Sequence, residues 1–219
     1  MKKRIVFLVS GNGGTLKFIF NSIKRLNLNI EIVGVIADRT CKALSFADFN
    51  NLYYKEIYYS RSKNRLLKDE LINLKPDLII TNIHKIIDSE ILDLFQNKFM
   101  NLHYSLLPSF KGLIGMETIK QAKAQNVRII GATCHEVNEA VDAGKIICQS
   151  CFCIDWVNED YNQTIDTVFK IASISLLIGI ILKFKISLDF IEDELFINKK
   201  KIFLSPMINL NFNLFDDLF

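Results

Sequence analysis

Ile5-Val-Phe-Leu-Val9, followed by Ser10-Gly11-Asn12-Gly13-Gly14-Thr15, begins as five apolar residues and ends in a turn rich in glycine. Such a run is too short for a helix and rich in β-branched and aromatic side chains, so it reads as a buried strand. Thr15 to Arg25 carries apolar residues at Leu16, Ile19, Phe20 and Ile23, the spacing of one helical face. Strand, glycine turn and helix in succession open a parallel α/β fold. The glycines let backbone N–H groups face an anion, and the helix N-terminus adds positive potential, so the loop is a candidate phosphate cradle. A merely tight turn is the other reading. A dinucleotide fingerprint needs a third glycine where Leu16 stands, and a Walker loop needs Gly-Lys-Ser/Thr. Asp38, ending the next strand, could hold a ribose hydroxyl, which keeps a dinucleotide-dependent dehydrogenase open.

Working outward, the same alternation continues. Strands are predicted at Glu31 to Ala37, Tyr53 to Tyr59, Leu78 to Thr81 and Phe99 to His103. Helices are predicted at Ala43 to Asn51, Lys63 to Leu74 and Asp88 to Phe95. This argues a doubly wound, mostly parallel sheet with right-handed crossovers. Beyond Leu107-Pro108 come a helix (Met116 to Gln125), strands (Arg128 to Val137, Ile146 to Ile154) and a long helix (Asn162 to Phe184). Ile186 to Ile191 and Leu195 to Phe203, around Glu192-Asp193-Glu194, read as a C-terminal β-hairpin. Neither a repeat nor a linker stands out, so residues 1–219 read as one domain, with halves at 1–100 and 101–205 and a tail at 206–219. In the tail, Asn209 to Phe219 alternates Leu/Phe with Asn, which fits an edge strand or packing against a partner.

Composition narrows the function classes. Of 219 residues, 50% are hydrophobic and 23% charged, which excludes intrinsic disorder. The formal net charge is +3, from 27 basic and 24 acidic residues, and supplies no case for nucleic-acid binding. The most apolar stretch, Ile171 to Leu182, is about twelve residues between two lysines, short of the roughly twenty a membrane span needs, so it reads as a buried helix. Met1-Lys-Lys-Arg4 precedes only a five-residue apolar run, which reads as a first strand and not a leader. Five cysteines at uneven spacing fit a reducing cytoplasm better than a disulfide framework.

Asn101 and His103 stand two apart in a strand, so their side chains leave the same face. An amide donor and an acid–base group at the carboxyl edge of an α/β sheet occupy the usual ligand crevice. A structural histidine is the alternative. Asn138, Glu139 and Asp142 offer three polar side chains in five residues, or a solvated turn. Cys148, Cys151 and Cys153 include a Cys-x-x-Cys spacing, but strand alternation puts Cys148 on the face opposite the other two, so no metal site is predicted. His84 and His135 are expected to pack locally or line a pocket.

Taken together and in this order, several motifs resemble the glycinamide ribonucleotide formyltransferase family of folate-dependent formyltransferases. They are Ser10-Gly-Asn-Gly13, Pro76-Asp77, Asn101-Leu-His103-Tyr-Ser-Leu-Leu-Pro108, Gly131-Ala-Thr-Cys-His135, and Val141-Asp142-x-Gly144-x-Ile-Ile-x-Gln149, and the likeness runs over roughly residues 4 to 200. It implies formyl transfer from 10-formyltetrahydrofolate to the amine of a phosphorylated ribonucleotide, in the cytoplasm, without metal, nucleic acid or membrane, by a monomer or homodimer. It assigns the phosphate to Gly13, Gly14 and Thr15, and catalysis to Asn101, His103 and Asp142. Folate would lie against His84, Lys85, Ile86 and Ile87, and against Asn101, Asn138 and Asp142. Asn101 and His103 would stabilise the oxyanion, and Asp142 would hold and polarise His103. The family usually has proline at Tyr104, Gly-Phe-Met-Arg where Asn82-Ile-His-Lys85 stands, and Gly-Pro where Gly144-Lys145 stands. A basic residue of its folate pocket falls at Asn64. Its Gln-x-x-Glu-His segment, which contacts the ribonucleotide, falls at Lys170-Ile-Ala-Ser173-Ile174. These departures touch the acceptor more than the transfer machinery, so another amine, such as a nucleotide amino sugar, and a non-catalytic binding protein remain the alternative readings.

Overall fold

The computed structural model describes residues 1–187, 194–206 and 218. The chain divides into two compact units, one built from residues 1–101 with 136–139, the other from residues 102–135 and 140 onward.

In the first unit, β1 (Lys3–Val9), α1 (Gly14–Arg25), β2 (Ile30–Ala37), α2 (Lys42–Phe49), β3 (Tyr54–Glu56), α3 (Arg65–Leu74), β4 (Leu78–Asn82), α4 (Ser89–Leu94) and β5 (Phe99–His103) alternate along the chain, the last two residues of β5 passing into the second unit. The strands lie in the order β3-β2-β1-β4-β5 and every pair is parallel. This is the doubly wound arrangement. Ile5, Val6, Phe7 and Leu8 are fully buried, as expected of a central parallel strand covered on both faces. One side of the sheet packs Val6, Leu8, Ile36 and Ile79 against Leu67, Leu71 and Ile91 of α3 and α4. The strand order reverses between β1 and β4, and the carboxyl ends of those two strands frame the crevice where open α/β sheets take their ligands.

The second unit holds α5 (Glu117–Ala124), β6 (Ile129–Glu136), β7 (Ile146–Cys153), α6 (Tyr161–Phe184), β8 (Leu195–Ile197) and β9 (Lys200–Ser205). Its strands run β6-β7-β9-β8 and are antiparallel throughout, so the parallel character belongs to the first unit and the architecture is mixed. The hairpin is shifted from its expected place. Leu195 to Phe203 is not one arm but spans two strands, with Asn198 and Lys199 at φ 50° and 63° making the turn. Two successive left-handed residues match the twist of flanking strands, and asparagine tolerates that conformation. Ile186 and Ser187 are irregular, and the rest of the expected first arm lies outside the described residues, as does nearly all of Asn209 to Phe219.

The long helix is capped by Asp160, whose side chain accepts from the Gln163 N–H at 2.7 Å. Its apolar half packs on the inner face of β7, where Cys148, Ser150 and Phe152 point. The polar atoms between them are satisfied: Ser175 Oγ meets Ser150 Oγ at 2.7 Å, and the Cys148 thiol meets the Ser175 carbonyl at 3.0 Å. By length and composition α6 could cross a membrane, with mean hydropathy 2.1 over its most apolar window, yet 72% of that window is buried within the protein.

Candidate active site

The first component is the turn after β1. Gly13, at φ 71°, precedes α1 in the left-handed region, and an added Cβ would come within 2.8 Å of the Ala43 Cβ. Glycine is required there on both counts. The helix has no side-chain cap, and its intrahelical bonding begins with Lys17 N–H to the Gly13 carbonyl at 2.9 Å. The N–H groups of Gly14, Thr15 and Leu16 therefore have no partner within the helix itself, the condition for an anion site. Thr15 is buried as a whole, at the first turn of the helix. Gly11 is buttressed from the other side by Ala43, whose N–H reaches the Gly11 carbonyl at 3.2 Å.

Across the β1–β4 crevice, His84, Lys85 and Ile86 are exposed in the segment after β4, while the Ile87 side chain is 5% exposed and packs in the core. The segment is anchored by Tyr59, whose hydroxyl lies 3.1 Å from the Ile86 carbonyl and accepts the Asp88 N–H at 2.9 Å. Burial pushes the Tyr59 phenol well above its ordinary pKa, so it stays a neutral hydrogen-bonding group. Asn64 donates to Asp88 at 3.0 Å and to Glu90 at 2.8 Å, so it serves this scaffold. Asp38, once a candidate for a ribose hydroxyl, is occupied by both arms of the Arg39 guanidinium.

In the second unit a buried histidine–carboxylate cluster forms. His103 Nδ1 lies 3.4 Å from Asp142 Oδ2, with both side chains less than a tenth exposed. His103 Nε2 faces the Phe110 carbonyl at 3.1 Å, and since a carbonyl only accepts, Nε2 carries a proton in this arrangement. Asp142, itself left-handed at φ 50°, is held by the Gly112 N–H at 2.8 Å. Its other oxygen lies 3.7 Å from His135 Nε2. His135, expected to pack locally or line a pocket, is buried beside Asp142 in the cluster. Strand alternation supplies the signal for it: Thr133 and His135 share a face of β6. Asn101 leaves β5 on the same face as His103 and is half-buried, and Asn138 is exposed.

The Tyr104 to Gly112 loop that presents Phe110 and Gly112 is stapled to β6 and β7. Thr133 Oγ1 donates to the Ser105 carbonyl at 2.7 Å and accepts from Leu107 N–H at 3.0 Å and Gln149 at 3.0 Å. Thr118 adds a bond to the Tyr104 carbonyl. The Gly131 to His135 and Gln149 motifs are thus the mounts of the loop. Among the described residues no group of three or more His, Cys, Asp or Glu side chains is placed to hold a metal. Cys148 is buried and Cys153 exposed on opposite faces of β7, and burial together with the adjacent Cys148 raises the Cys134 thiol pKa, which suits it to packing.

A doubly wound α/β unit with an uncapped glycine turn, and a unit that holds a buried histidine–carboxylate cluster, are features of a formyltransferase-like α/β fold. The chain belongs to the formyl transferase family, matched over residues 3–178. It is 33% identical over 155 residues to the human trifunctional purine biosynthetic protein adenosine-3, covering 68% of this chain and 15% of that protein. It is 28% identical over 158 residues to formyltetrahydrofolate deformylase of Haemophilus influenzae, covering 70% of this chain and 56% of that one. The chain thus spans little more than half, or less, of these curated relatives. Among solved structures, it resembles the phosphoribosylglycinamide formyltransferase of Coxiella burnetii, with TM-score 0.73, 26% identity, and coverage of 92% of this chain and 96% of that one.

Proposed function

We propose that this chain is a cytoplasmic enzyme that passes the formyl group of 10-formyltetrahydrofolate to the amine of glycinamide ribonucleotide in purine biosynthesis. The observation that carries the reading is the buried His103–Asp142 pair, 3.4 Å apart, with His103 on the strand that also bears Asn101. In this reading the N–H groups of Gly13, Gly14 and Thr15 hold the acceptor's phosphate. Folate supplies the activated formyl group and lies along His84, Lys85, Ile86 and the Ile87 backbone, with Asn138 and Asp142 beside it. The Asn101 amide and the His103 Nε2–H, released from the Phe110 carbonyl, donate to the formyl oxygen as the amine attacks, each donor being worth about 2.7–4 kcal/mol in comparable sites. Asp142 keeps His103 oriented while the proton leaving the amine is passed to the departing folate nitrogen, which balances the transfer.

One observation favours a different acceptor. Ser173 and Ile174, where the family resemblance puts polar ribonucleotide contacts, are fully buried, and Ser173 Oγ donates to the Phe169 carbonyl at 2.9 Å. Lys170 pairs with Asp166 at 2.9 Å. Another amine, such as a nucleotide amino sugar, would need different contacts, and water, the acceptor implied by the deformylase relatives, would need none. Incubation of the purified protein with 10-formyltetrahydrofolate separates these readings. Tetrahydrofolate produced only when glycinamide ribonucleotide is added is the expected result. Formate release without an amine, or turnover only with another amine, would overturn it, and folate binding without turnover would mark a non-catalytic binding protein.

A further inference from the structure

The crevice between β1 and β4 is bridged by one hydroxyl. Ser10, the last residue before the glycine turn, accepts the backbone N–H of His84 at 2.8 Å. The same side chain hydrogen-bonds to the Asp38 carboxylate. The Asp38 side chain is 1% exposed and is gripped in two places by Arg39, at 2.8 and 3.2 Å. Its burial favours protonation, but the hydrogen bonds from Arg39 and Ser10 outweigh it and hold the carboxyl below its ordinary pKa. An ionised carboxylate only accepts, so Ser10 must donate to Asp38, and its remaining lone pairs take the His84 N–H. The direction of the chain is therefore fixed: His84 N–H to Ser10 O–H to Asp38.

We propose that the Ser10 hydroxyl is a positioning residue that couples the two ligands, so that an anion held by the glycine turn tightens folate binding and folate tightens anion binding. This rests on the reading above, in which the turn takes the acceptor's phosphate and the segment from His84 takes folate. The turn is backed by Ala43 near the start of α2, whose N–H bonds to the Gly11 carbonyl and whose side chain leaves no room for a Cβ at Gly13. When the turn closes on an anion, the freedom it loses is shared with the group to which it is tied, the His84 backbone. A segment already ordered by one ligand costs the second ligand less, which is positive coupling without a large change of shape.

The test is a binding cycle on the full chain: tetrahydrofolate is titrated alone, then with saturating glycinamide ribonucleotide, and separately with saturating inorganic phosphate. The unaltered protein is expected to bind tetrahydrofolate about fivefold or more tighter with the second ligand present, the lower end of ordinary coupling. In Ser10→Ala the ratio should fall to about one with each ligand alone bound to within roughly threefold, and Ser10→Thr should restore it. Asp38→Asn, which removes the charge orienting the hydroxyl, should lower the same ratio and serves if Ser10→Ala fails to fold. A purely structural Ser10 would weaken both ligands and leave the ratio intact, and that result overturns the proposal, as does absence of coupling in the unaltered protein. If the ribonucleotide does not bind while phosphate still couples, the acceptor reading falls and the coupling stands.

Discussion

At the scale of single residues, the site turns on how Asp142 is held. A carboxylate in a left-handed turn would ordinarily face solvent, but here its side chain is 8% exposed, with Gly112 N–H on one oxygen and histidines facing both. Asp142→Asn keeps the shape and removes the charge. It is expected to lower kcat for formyl transfer by about 10²–10⁴, the usual worth of a positioned acid–base group, with the thermal midpoint little changed. Steady-state kinetics beside a melting curve checks this, and activity within tenfold of the unaltered enzyme would refute the assignment. The sequence made Asn101 and His103 legible as a pair because strand period is local. Asp142 was legible from the residues only as part of a polar turn, and its role came through family likeness, since Gly112 and His103 lie some 30 to 40 residues away and a turn carries no record of what folds over it. Phe110 and Gly112 contribute through their backbones, and a backbone carbonyl or N–H leaves no mark in residue identity.

At the scale of elements, β6 and β7 are the mount on which the Tyr104 to Gly112 loop sits, and at Gly131 they leave no room for a side chain. A Cβ there would stand 1.9 Å from the Ser150 carbonyl and 2.9 Å from the Cys151 Cα, both backbone atoms that cannot swing away. Gly131→Ala should therefore force the strands apart and cost about 3 kcal/mol, the upper end of overpacking. Because Thr133 and Gln149 ride on the same strands, activity should fall further than stability alone explains. Denaturant melts and kcat measured at a temperature where the variant is folded test this, and a change below about 1 kcal/mol would show that the pairing relaxes. The β1–α1 unit was legible because apolar period and glycine punctuation agree there. The hairpin was not, because Leu195, Ile197, Ile202 and Phe203 give an apolar pattern that runs through the turn, and Asn198-Lys199 is not the Asn-Gly pair that announces one.

At the scale of the whole molecule, the apolar excess of the composition is concentrated in α6. Ile171, Leu176, Leu177 and Ile180 are all 0% exposed, and the polar atoms of Ser173 and Ser175 are bonded within the protein. A helix apolar on every side has two homes, a bilayer or a protein core. Here β7 supplies Ser150 as the hydrogen-bond partner of Ser175, which lipid cannot do, and the helix carries Asp166, Lys170 and Lys183 with Asp160 at its N-cap. Transferring it to a membrane would forfeit those contacts and expose the inner face of β7. The purified chain is therefore expected to stay with the aqueous fraction when floated with liposomes. Leu177→Lys should not change that partition while the fold holds; it should instead destabilise the protein by several kcal/mol, because a buried ammonium has no partner there. Co-flotation of the unaltered chain with lipid, or a Leu177→Lys variant as stable as its parent, would show that α6 is not the core helix its burial describes.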